Sequence, residues 1–544
     1  MIYPSFLFSS SISGIGCQAI KKNNNSFSKQ VKKVKRLKKR KNKNSSHDFS
    51  KPFYRTFLIE TAIKAINESQ GILKNKERRI KILQESLPEE EQCLPLEEEA
   101  EMIKATENKI EKTLKIDSSF RNRLRKKDVK LMKKKWKREK LSMLNKTKHS
   151  WVILKNNITT PTGETYNNIM TPAGKMKLGD SDIFSHSYND EGISSGSICE
   201  SEHAVNLWMS ELTSTSGDVL FKGIRHGVLS PYGLDKNSQE RKVGRVNRGK
   251  EVILAALYAN QAILESAIQN PDEVVPLQLT STSLVTAGNV WSVTEGDQLE
   301  DQIYSWNELS NKVIELEVVD KSGNCQKIKV KPEIIPFNFG VNELSLKFKI
   351  GQKKSDSINL EGLKILLGDG FCNSTDPQGW VGKYLADNPK NKSVVLQLVQ
   401  QIKEIWEAKA HNTDESDPYK MARCIVLLTY EIGIIPAWNC KSGKDRTGFL
   451  DGEVKREVIK LHQNESVTPW GALGSEDQKL LQKVLLNSGN LQIQESNTGG
   501  AQGNKVCTKT PWMLSSAELS LKRKRIGDRD AWKKIKGLSN FVNS

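Results

Sequence analysis

The sequence predicts an α+β or α/β catalytic domain that follows a largely helical, basic N-terminal domain. After residue 150, short apolar stretches typical of strands alternate with stretches of helical period. The charge divides at the same place: residues 1–150 contain 38 Lys and Arg against 17 Asp and Glu, whereas the rest contains 46 against 47. A chain of 544 residues also exceeds one ordinary core. We therefore expect two or more domains, of which the first has an acidic partner of its own.

Residues 1–50 are expected to be a disordered tail. Residues 21–50 are rich in Lys, Asn and Ser and have almost no large apolar side chains. The basic run at 32–43 fits a solvated tail, a patch for acidic lipids, or a nuclear-localisation or nucleic-acid patch. No aromatic residue interleaves with this run, so stacking on bases is unsupported and no nucleic-acid partner is expected. Residues 1–20 lack the basic start and the A-x-A site of a Sec signal peptide.

Residues 51–150 are predicted to be helical. Apolar residues recur at helical spacing over 53–83, and further helical stretches follow at 102–114 and 120–144. Two glutamate triplets and two prolines within 88–99 predict a linker between these stretches. Lys and Arg crowd the later helices, which therefore need a partner or close neighbours to stay folded.

Residues 151–544 are predicted to form the catalytic domain, although the order of its strands is not readable from the sequence. The predicted strands are 313–319, 328–330 and 344–350, and the predicted helices are 251–267, 394–409 and 419–430. The eight cysteines contain no C-x-x-C pair, so neither a zinc ribbon nor a dense disulfide framework is expected. No His, Asp and Glu cluster has metal-ligand spacing, and we expect no metal and no other cofactor. No apolar run reaches the roughly 18 residues of a membrane span.

The most informative stretch is the string W-N-C-K-S-G-K-D-R-T-G at 438–448. The apolar run 434–438 predicts a short buried strand that leads into it. After the string, Leu450, Val454 and Val458 fall at helical spacing. The string therefore lies between a strand and a helix N-terminus, where backbone N–H groups and the helix dipole favour an anion.

The residue types in this string fit one chemistry. The field of the loop would lower the pKa of Cys440, which makes the thiolate available as a nucleophile. Ser442 and Gly443 are small enough for the backbone to close around a phosphate. The planar fork of Arg446 can grip two phosphate oxygens. Together they describe a cysteine-dependent phosphatase, whereas the alternative is a buried free cysteine beside a basic surface turn.

Two additional cations inside the loop bear on the substrate. A site for a single phosphate on an aromatic ring has little use for both Lys441 and Lys444. An inositol ring with neighbouring phosphates offers each lysine a partner. The alternative is that both are solvated surface lysines. The loop residues indicate a multiply phosphorylated substrate but leave open which phosphate is removed.

The string C-K-S-G-K-D-R-T-G resembles the loop of the inositol phosphate phosphatase effectors that enteric pathogens inject by type III secretion, the Salmonella SopB and Shigella IpgD type. From residue 151 to the end this resemblance is nearly continuous, and the loop is also similar to that of inositol polyphosphate 4-phosphatases. The resemblance implies a virulence effector that acts in the host cytoplasm and at the membrane surface. It implies removal of the 4-phosphate from phosphatidylinositol 4,5-bisphosphate to leave the 5-phosphate, and it permits phosphotransferase activity and activity on soluble inositol polyphosphates.

The resemblance also implies a division of labour along the chain. Residues 1–50 would hold the secretion signal and basic tail, and residues 51–150 would bind the type III secretion chaperone and a host Rho-family, Cdc42-like GTPase. Residues 151–544 would be the phosphoinositide phosphatase domain. The competing hypothesis is a non-catalytic effector that binds the GTPase and uses the loop only to hold anions.

The general acid has two candidates. Asp445 occupies the position at which similar loops of myotubularin-like and Sac-like phosphatases carry the acid, although it could instead pair with Arg446 or cap the helix. Asp376 could be carried into the site by a mobile loop. Thr447 is expected to donate its hydroxyl to the cysteine or a phosphate oxygen, and Gly448 completes the substrate-binding loop.

Two further stretches resemble family motifs. Asn338 and Asn342, in F-N-F-G-V-N-E, match an asparagine motif shared with the 4-phosphatases and would bracket ring hydroxyls, or else form a capped strand–helix turn. Lys505 ends a Gly/Asn-rich loop and would bind a second phosphate, with Lys509 as the alternative and an ordinary flexible loop as the competing interpretation. His226, in R-H-G, begins like a histidine phosphatase signature, but the continuation is missing and we do not expect it to be a nucleophile.

Overall fold

The fold is built on one mixed sheet of eight strands. Its order is β1-β2-β5-β6-β10-β7-β9-β8, and β10 runs parallel to both of its neighbours. Strands with two parallel neighbours lie where helices cover both faces of a sheet, so β10 has a protected position, as does β7. The strands are β1 (Leu154–Thr159), β2 (Thr165–Pro172), β5 (Trp208–Thr213), β6 (Val219–His226), β7 (Val274–Ser283), β8 (Ile314–Val319), β9 (Cys325–Asn338) and β10 (Ile435–Asn439), with β3 (Lys177–Leu178) and β4 (Ser181–Asp182) as a separate pair.

The computed structural model describes most of the chain from residue 54 onward. The basic run 32–43, the predicted disorder of 1–50 and Lys505 lie outside the described residues. The described residues are 54–68, 76–88, 96–114, 130–136, 138–140, 151–289, 294–374, 376–498, 503–504 and 521–537.

Helices cover both faces of the sheet. One apolar cluster joins the strands to α4 (Gln239–Ala259), α5 (Gln261–Gln269) and α6 (Glu295–Leu309). The other face carries a larger cluster with most of the remaining helices. These helices are α8 (Gln352–Leu367), α9 (Gly379–Ala386), α10 (Lys392–Glu407), α11 (Lys420–Glu431), α12 (Asp445–His462), α13 (Ser475–Asn487), α15 (Leu521–Ile526) and α16 (Arg529–Lys536). The chain also forms α7 (Glu343–Phe348) and α14 (Asn490–Asn497), whose Ile493 packs in a smaller cluster with Trp151 and Trp208.

The N-terminal helices have an apolar cluster of their own. They are α1 (Tyr54–Asn67), α2 (Lys76–Gln84) and α3 (Leu96–Leu114), and residues 130–136 are also helical. Trp136 is buried in this cluster, and its indole Nε1 donates to Thr61 Oγ1 at 3.1 Å. The prediction of a helical region is confirmed for these residues. The predicted linker at 88–99 extends too far toward the C-terminus, because α3 already begins at Leu96.

Two predicted elements differ from the structure. The stretch predicted as a strand at 344–350 contains helix α7, although its apolar residues alternate with polar ones. Since β9 already has β7 on one side and β8 on the other, no edge beside it is open to another strand. The helix predicted at 251–267 is broken at Asn260 into α4 and α5. Within the described residues, no single helix has the length and apolar composition of a membrane span; α4 and α5 meet both only as a pair that is bent by 106°.

A buried ion network fixes α12 from behind. Arg525 of α15 binds Glu453 of α12, with Nη2 at 3.0 Å from Oε2, and its Nη2 lies 3.2 Å from Asp417 Oδ2. All three side chains are fully buried. Because an unpaired charge in such a place is strongly unfavourable, these pairs hold α15 in a defined position on α12.

Replacing Ile425 of α11 by Ala should lower the free energy of unfolding by about 2–5 kcal/mol, because the side chain is fully buried between the sheet and α12. Urea or thermal unfolding of the whole chain measures the change. Ile365→Ala is the matched control, since this isoleucine also lies on a helix but is 48% exposed. An equal loss in both variants would contradict the assignment of the core.

Candidate active site

The loop at 440–444 follows β10, an interior strand, and lies where the parallel strands of the sheet end. Strand β10 ends at Asn439, Cys440 follows directly, and α12 begins at Asp445, so the predicted strand–loop–helix order is confirmed. The indole Nε1 of buried Trp438 donates to the carbonyl of Thr447 at 3.2 Å and ties the strand to the first turn of the helix. The backbone N–H groups at the start of α12 therefore face the space in front of Cys440.

Two glycines allow close packing around the loop, Gly443 against the end of β6 and Gly448 against Asn490 of α14. Gly443 has a φ of +65°, and a Cβ placed there would lie 2.6 Å from the carbonyl carbon and oxygen of His226. A Cβ on Gly448 would lie 2.7 Å from Asn490 Oδ1. The predicted need for a small residue at 443 is thus confirmed by conformation and by space.

Two buried thiols differ in their electrostatics. Burial, which outweighs the opposing charge of Arg423, raises the pKa of Cys424 to about 12. Burial also opposes ionisation of Cys440, which is 1% exposed, yet the positive charge of Arg446 and the hydroxyl and backbone N–H of Thr447 bring the pKa of this thiol below its usual value. The loop therefore favours a thiolate at Cys440, whereas the thiol of Cys424 stays protonated near neutral pH.

Arg446 is fixed by a carboxylate that the sequence analysis missed. Its Nη1 donates to Glu295 Oε2 at 3.0 Å and to the carbonyl of Leu284 at 2.9 Å, and its Nη2 lies 2.5 Å from Glu295 Oε1. Glu295 Oε2 also accepts from the backbone N–H of Thr286 at 2.8 Å. Burial opposes the charge of Glu295, but Arg446 and these hydrogen bonds lower its pKa to about 2. Glu295 precedes Arg446 by 151 residues, so no local pattern could have indicated it.

These contacts use only part of the guanidinium. Three of the five N–H hydrogens of Arg446 are taken by Glu295 and Leu284. The Nε–H and the second hydrogen of Nη2 take no part in these contacts, and both lie on the other edge of the guanidinium. That edge can bind two oxygens of one oxyanion.

The two acid candidates lie in different surroundings. Asp445 is the first residue of α12, and its Oδ1 accepts from Gln494 Nε2 at 3.0 Å. Its backbone carbonyl accepts from Asn504 Nδ2 at 3.1 Å. Asp376 is exposed, and the segment behind it is fixed to the end of α8, where the Gln378 N–H donates to the Leu367 carbonyl at 2.8 Å. Asp445 is thus already part of the loop, whereas Asp376 would have to be carried there.

The remaining loop side chains are part-exposed or buried at the mouth. Lys441, Ser442 and Lys444 are part-exposed, and Lys441 Nζ lies 4.7 Å from the centroid of the Tyr232 ring. Thr447 is buried, and its hydroxyl has no hydrogen-bonded oxygen or nitrogen partner among the described residues. The loop thus has two part-exposed lysines close to Cys440 in the chain and one buried hydroxyl beside its thiol.

Asn338 has an internal role in this structure. Its Nδ2 donates to the carbonyls of Ser283 at 3.2 Å and Val285 at 2.9 Å, and its Oδ1 accepts from Ser355 Oγ at 2.7 Å. The side chain is fully buried. Since Leu284 lies between the two carbonyls and binds Arg446, Asn338 supports the seat of that arginine. The expectation that it contacts ring hydroxyls gives way to the alternative of a capped turn.

Of the other two predicted substrate-binding residues, Asn342 is described by the structure and Lys505 is not. Asn342 is part-exposed just before α7, and its carbonyl accepts from the Leu346 N–H at 2.9 Å. This contact fits the capped turn and leaves the side-chain role in substrate binding as a prediction. Lys505 lies outside the described residues, which end there at Asn504.

Two polar residues stand behind the loop. Asn439 forms two hydrogen bonds with Gln302, at 2.8 and 3.0 Å, and so joins β10 to α6. Burial lowers the pKa of His226 to about 4, so the ring is neutral near neutral pH, and its Nδ1 lies 2.6 Å from the Gly227 carbonyl. His226 is fully buried beneath Gly443, a position that suits packing better than nucleophilic attack. Among the described residues, no group of three or more His, Cys, Asp or Glu side chains is arranged to hold a metal ion.

The fold is similar to that of solved bacterial phosphatases. One Legionella phosphoinositide phosphatase matches with a TM-score of 0.54 and 11% identity, over 90% of each chain. A second, Legionella SidF, matches with a TM-score of 0.51 and 12% identity, over 91% of each chain. At this identity the likeness concerns the fold. Together with the site and the relatives below, it defines the class: an α/β phosphatase.

The family is defined by sequence. The model of the enterobacterial virulence protein IpgD matches residues 20–542. The inositol phosphate phosphatase SopB of Salmonella bongori is 47% identical over 400 residues, which cover 72% of this chain and 94% of the relative. The inositol phosphate phosphatase IpgD of Shigella flexneri is 42% identical over 386 residues, 70% of each chain. The chain belongs to the IpgD family of enterobacterial virulence proteins.

Replacing Glu295 by Gln should flatten the pH dependence of stability in acid. A carboxyl whose pKa falls from its usual range to about 2 on folding stabilises the protein above about pH 4.5, and this contribution is lost as the pH falls toward 2. The shift corresponds to about 3 kcal/mol at most. Chemical unfolding between pH 6 and pH 3 should therefore show a steeper loss in the wild type than in Glu295→Gln.

Glu315→Gln is the control for that measurement, because Glu315 forms an exposed ion pair with Lys327 at 3.0 Å. Exposed pairs contribute little, so its curve should follow the wild type. Parallel curves for all three proteins would show that the pair of Glu295 and Arg446 does not stabilise the fold.

Proposed function

We propose that this chain is a phosphoinositide and inositol polyphosphate phosphatase that works through a phosphocysteine at Cys440. The observation that carries the proposal is a buried thiol of lowered pKa at a helix N-terminus, beside an arginine held by Glu295. A nucleophile, an anion cradle and a fixed cation meet at one point. The names of the relatives, inositol phosphate phosphatases, support the same chemistry.

In the first step the Cys440 thiolate attacks phosphorus in line with the ester oxygen. The S–P bond forms as the P–O bond breaks, and the leaving alkoxide takes a proton from Asp445. The outer edge of the Arg446 fork and the loop N–H groups bind the equatorial oxygens, on which charge is spread in the transition state. Thr447, whose buried hydroxyl meets no oxygen or nitrogen partner within the part of the chain that the structure describes, donates to the sulfur or to a phosphate oxygen.

In the second step water attacks the phosphocysteine. The Asp445 carboxylate takes a proton from this water, the S–P bond breaks, and inorganic phosphate leaves with the thiolate restored. Attack by another hydroxyl in place of water would transfer the phosphate, which accounts for a phosphotransferase activity. Asp445 suits both roles because it is the first residue of α12 and is held by Gln494 next to the loop.

The substrate class follows from the two loop lysines. Lys441 and Lys444 are part-exposed on either side of Ser442 and Gly443, so each can meet a phosphate next to the one bound by Arg446. Phosphatidylinositol 4,5-bisphosphate and soluble inositol polyphosphates carry such neighbouring phosphates. We propose removal of the 4-phosphate to give phosphatidylinositol 5-phosphate, on the resemblance to 4-phosphatases.

The N-terminal region is proposed to bind protein partners. Helices α1–α3 bury a small apolar cluster and leave many charged side chains exposed. On the family resemblance, we propose that 51–150 binds a secretion chaperone and then a host Rho-family GTPase, and that type III secretion delivers the chain into the host cytoplasm. Residues 151–544 would then act at the membrane surface.

Hydrolysis of soluble phosphatidylinositol 4,5-bisphosphate should fall at least about 10³-fold in Cys440→Ser, because a serine hydroxyl is a far weaker nucleophile at neutral pH. Phosphate release measures this directly. Lys441→Met and Lys444→Met should each reduce kcat/KM about tenfold on the bisphosphate and much less on a monophosphate, since the second phosphate loses its partner. Lys353→Met, at an exposed position of α8, is the matched control.

A wild-type chain that releases no phosphate from any phosphoinositide, with or without a Rho GTPase, would contradict the catalytic proposal. The non-catalytic effector would then be the better hypothesis. Equal losses on mono- and bisphosphates in the lysine variants would instead remove the argument for a multiply phosphorylated substrate and leave the thiol mechanism in place.

Full-length chain should capture a Rho-family GTPase, whereas a chain that lacks residues 1–150 should not, because the proposed binding helices are gone. Pull-down with nucleotide-loaded and nucleotide-free GTPase measures this. Both chains should retain phosphate release if the catalytic domain folds by itself. Equal capture by the two chains would place the binding site outside 1–150.

A further inference from the structure

The carbonyl groups of the phosphate loop are held from behind. Four consecutive carbonyls accept hydrogen bonds, most of them from donors outside the loop. The donors are the Val228 N–H for Lys441 O at 3.3 Å, Asn206 Nδ2 for Ser442 O at 3.0 Å, Arg225 Nη2 for Gly443 O at 2.9 Å and Lys444 O at 3.4 Å, and the Gly448 N–H for Lys444 O at 2.7 Å.

We infer that Arg225 and Asn206 are positioning residues that set the direction of the peptide groups in the phosphate loop. In a trans peptide the C=O and the following N–H point in opposite directions. Arg225 binds the carbonyls of Gly443 and Lys444, so the N–H groups of Lys444 and Asp445 point away from it, toward the mouth of the loop. Asn206 holds the carbonyl of Ser442 and thereby fixes the turn in which the Gly443 N–H meets the Cys440 carbonyl at 3.2 Å.

Arg225 is itself rigidly seated. It lies in β6 opposite Trp438 of β10 and is fully buried, and its Nη1 donates to Asn490 Oδ1. Asn490 Nδ2 donates to Asp451 Oδ2 at 2.7 Å, and Asp451 also pairs with Lys455 at 3.1 Å. Burial lowers the pKa of Arg225, and the negative charge of nearby Asp451 opposes this shift. A side chain with so many fixed partners cannot follow a change in the loop and therefore constrains it.

Asn206 is seated in the same way. Its Oδ1 accepts from Trp208 Nε1 and from Asn497 Nδ2, each at 2.8 Å, so the orientation of its amide is determined. The Nδ2 is therefore directed at the loop as a donor. Neither Asn206 nor Arg225 has to touch substrate, and both act through the backbone of the loop. Preorganised N–H groups matter most in the transition state, where the oxyanion charge is greatest.

This inference rests on the proposed function, since it concerns how the same loop binds a transferring phosphate. Arg225→Lys keeps the positive charge and removes the fork, and Asn206→Ala removes one neutral hydrogen bond. The matched control is Thr280→Val, which removes a buried hydrogen bond to Thr429 at 3.2 Å elsewhere in the sheet. Three quantities are measured in each full-length protein: kcat and KM for soluble phosphatidylinositol 4,5-bisphosphate, inhibition by orthovanadate, and the pH midpoint of iodoacetamide alkylation at Cys440.

We expect Arg225→Lys and Asn206→Ala to lower kcat about tenfold or more, with KM changed less than about threefold, because ground-state binding depends less on the N–H groups. Inhibition by orthovanadate should weaken about tenfold. The alkylation midpoint should rise by about one pH unit, since the same N–H groups stabilise the thiolate. Thr280→Val should leave all three quantities at the wild-type values and lower only the thermal stability.

The inference is overturned if Arg225→Lys and Asn206→Ala match Thr280→Val in kcat, orthovanadate inhibition and alkylation midpoint. Should Arg225→Lys fail to fold, Asn490→Ala tests the same role, because it removes the acceptor of Nη1, together with the hydrogen bonds of Asn490 to Asp451 and Ser488, and leaves Nη2 on the loop. Its effects should be smaller in the same direction. If the wild type hydrolyses none of the substrate, the proposed function fails. The alkylation midpoint still decides the positioning role in that case, because alkylation needs no turnover.

Discussion

The position of β10 between two parallel neighbours is the constraint on which the rest of the site depends. Parallel strands end at the same edge, so the ends of β6, β7 and β10 bring their following residues together. This edge supplies the loop itself from β10, the buried Arg225 from β6, and the Leu284 carbonyl after β7. The helix that begins directly after the loop adds its N–H groups at the same point. Sheet topology thus brings the loop and the groups that hold the loop and Arg446 to the place where an anion would bind.

Burial in the site makes the stability of each charged side chain depend on its fixed neighbours. In a buried place a lone thiol stays neutral, as Cys424 does, and a thiolate forms only where fixed positive groups outweigh the loss of water. Arg446 provides that charge at Cys440, and Glu295 keeps the arginine in one orientation. The carboxylate also partly offsets the positive charge, so the site holds its geometry without a bound anion. The outer edge of the fork stays available for an oxyanion.

Sequence identity places the chain in its family, whereas the structural similarity concerns the fold. Identity of 42–47% extends over about 70% of the chain, and it accounts for the placement among enterobacterial virulence proteins. The Legionella phosphoinositide phosphatases share the fold at 11–12% identity, a level at which individual side chains have changed almost everywhere.

The sequence by itself determined the place of the loop between a strand and a helix and indicated Cys440 as the candidate nucleophile, because both depend on neighbours within a few residues. It also indicated Asn338, but as a ring contact, whereas the buried amide in fact supports the seat of Arg446. Only the tertiary structure decided the partners of the loop. Glu295 lies 151 residues from Arg446, and Arg225 lies 218 residues from Gly443, so no local pattern joins them. Such contacts follow from strand order, which hydrophobic periodicity does not encode.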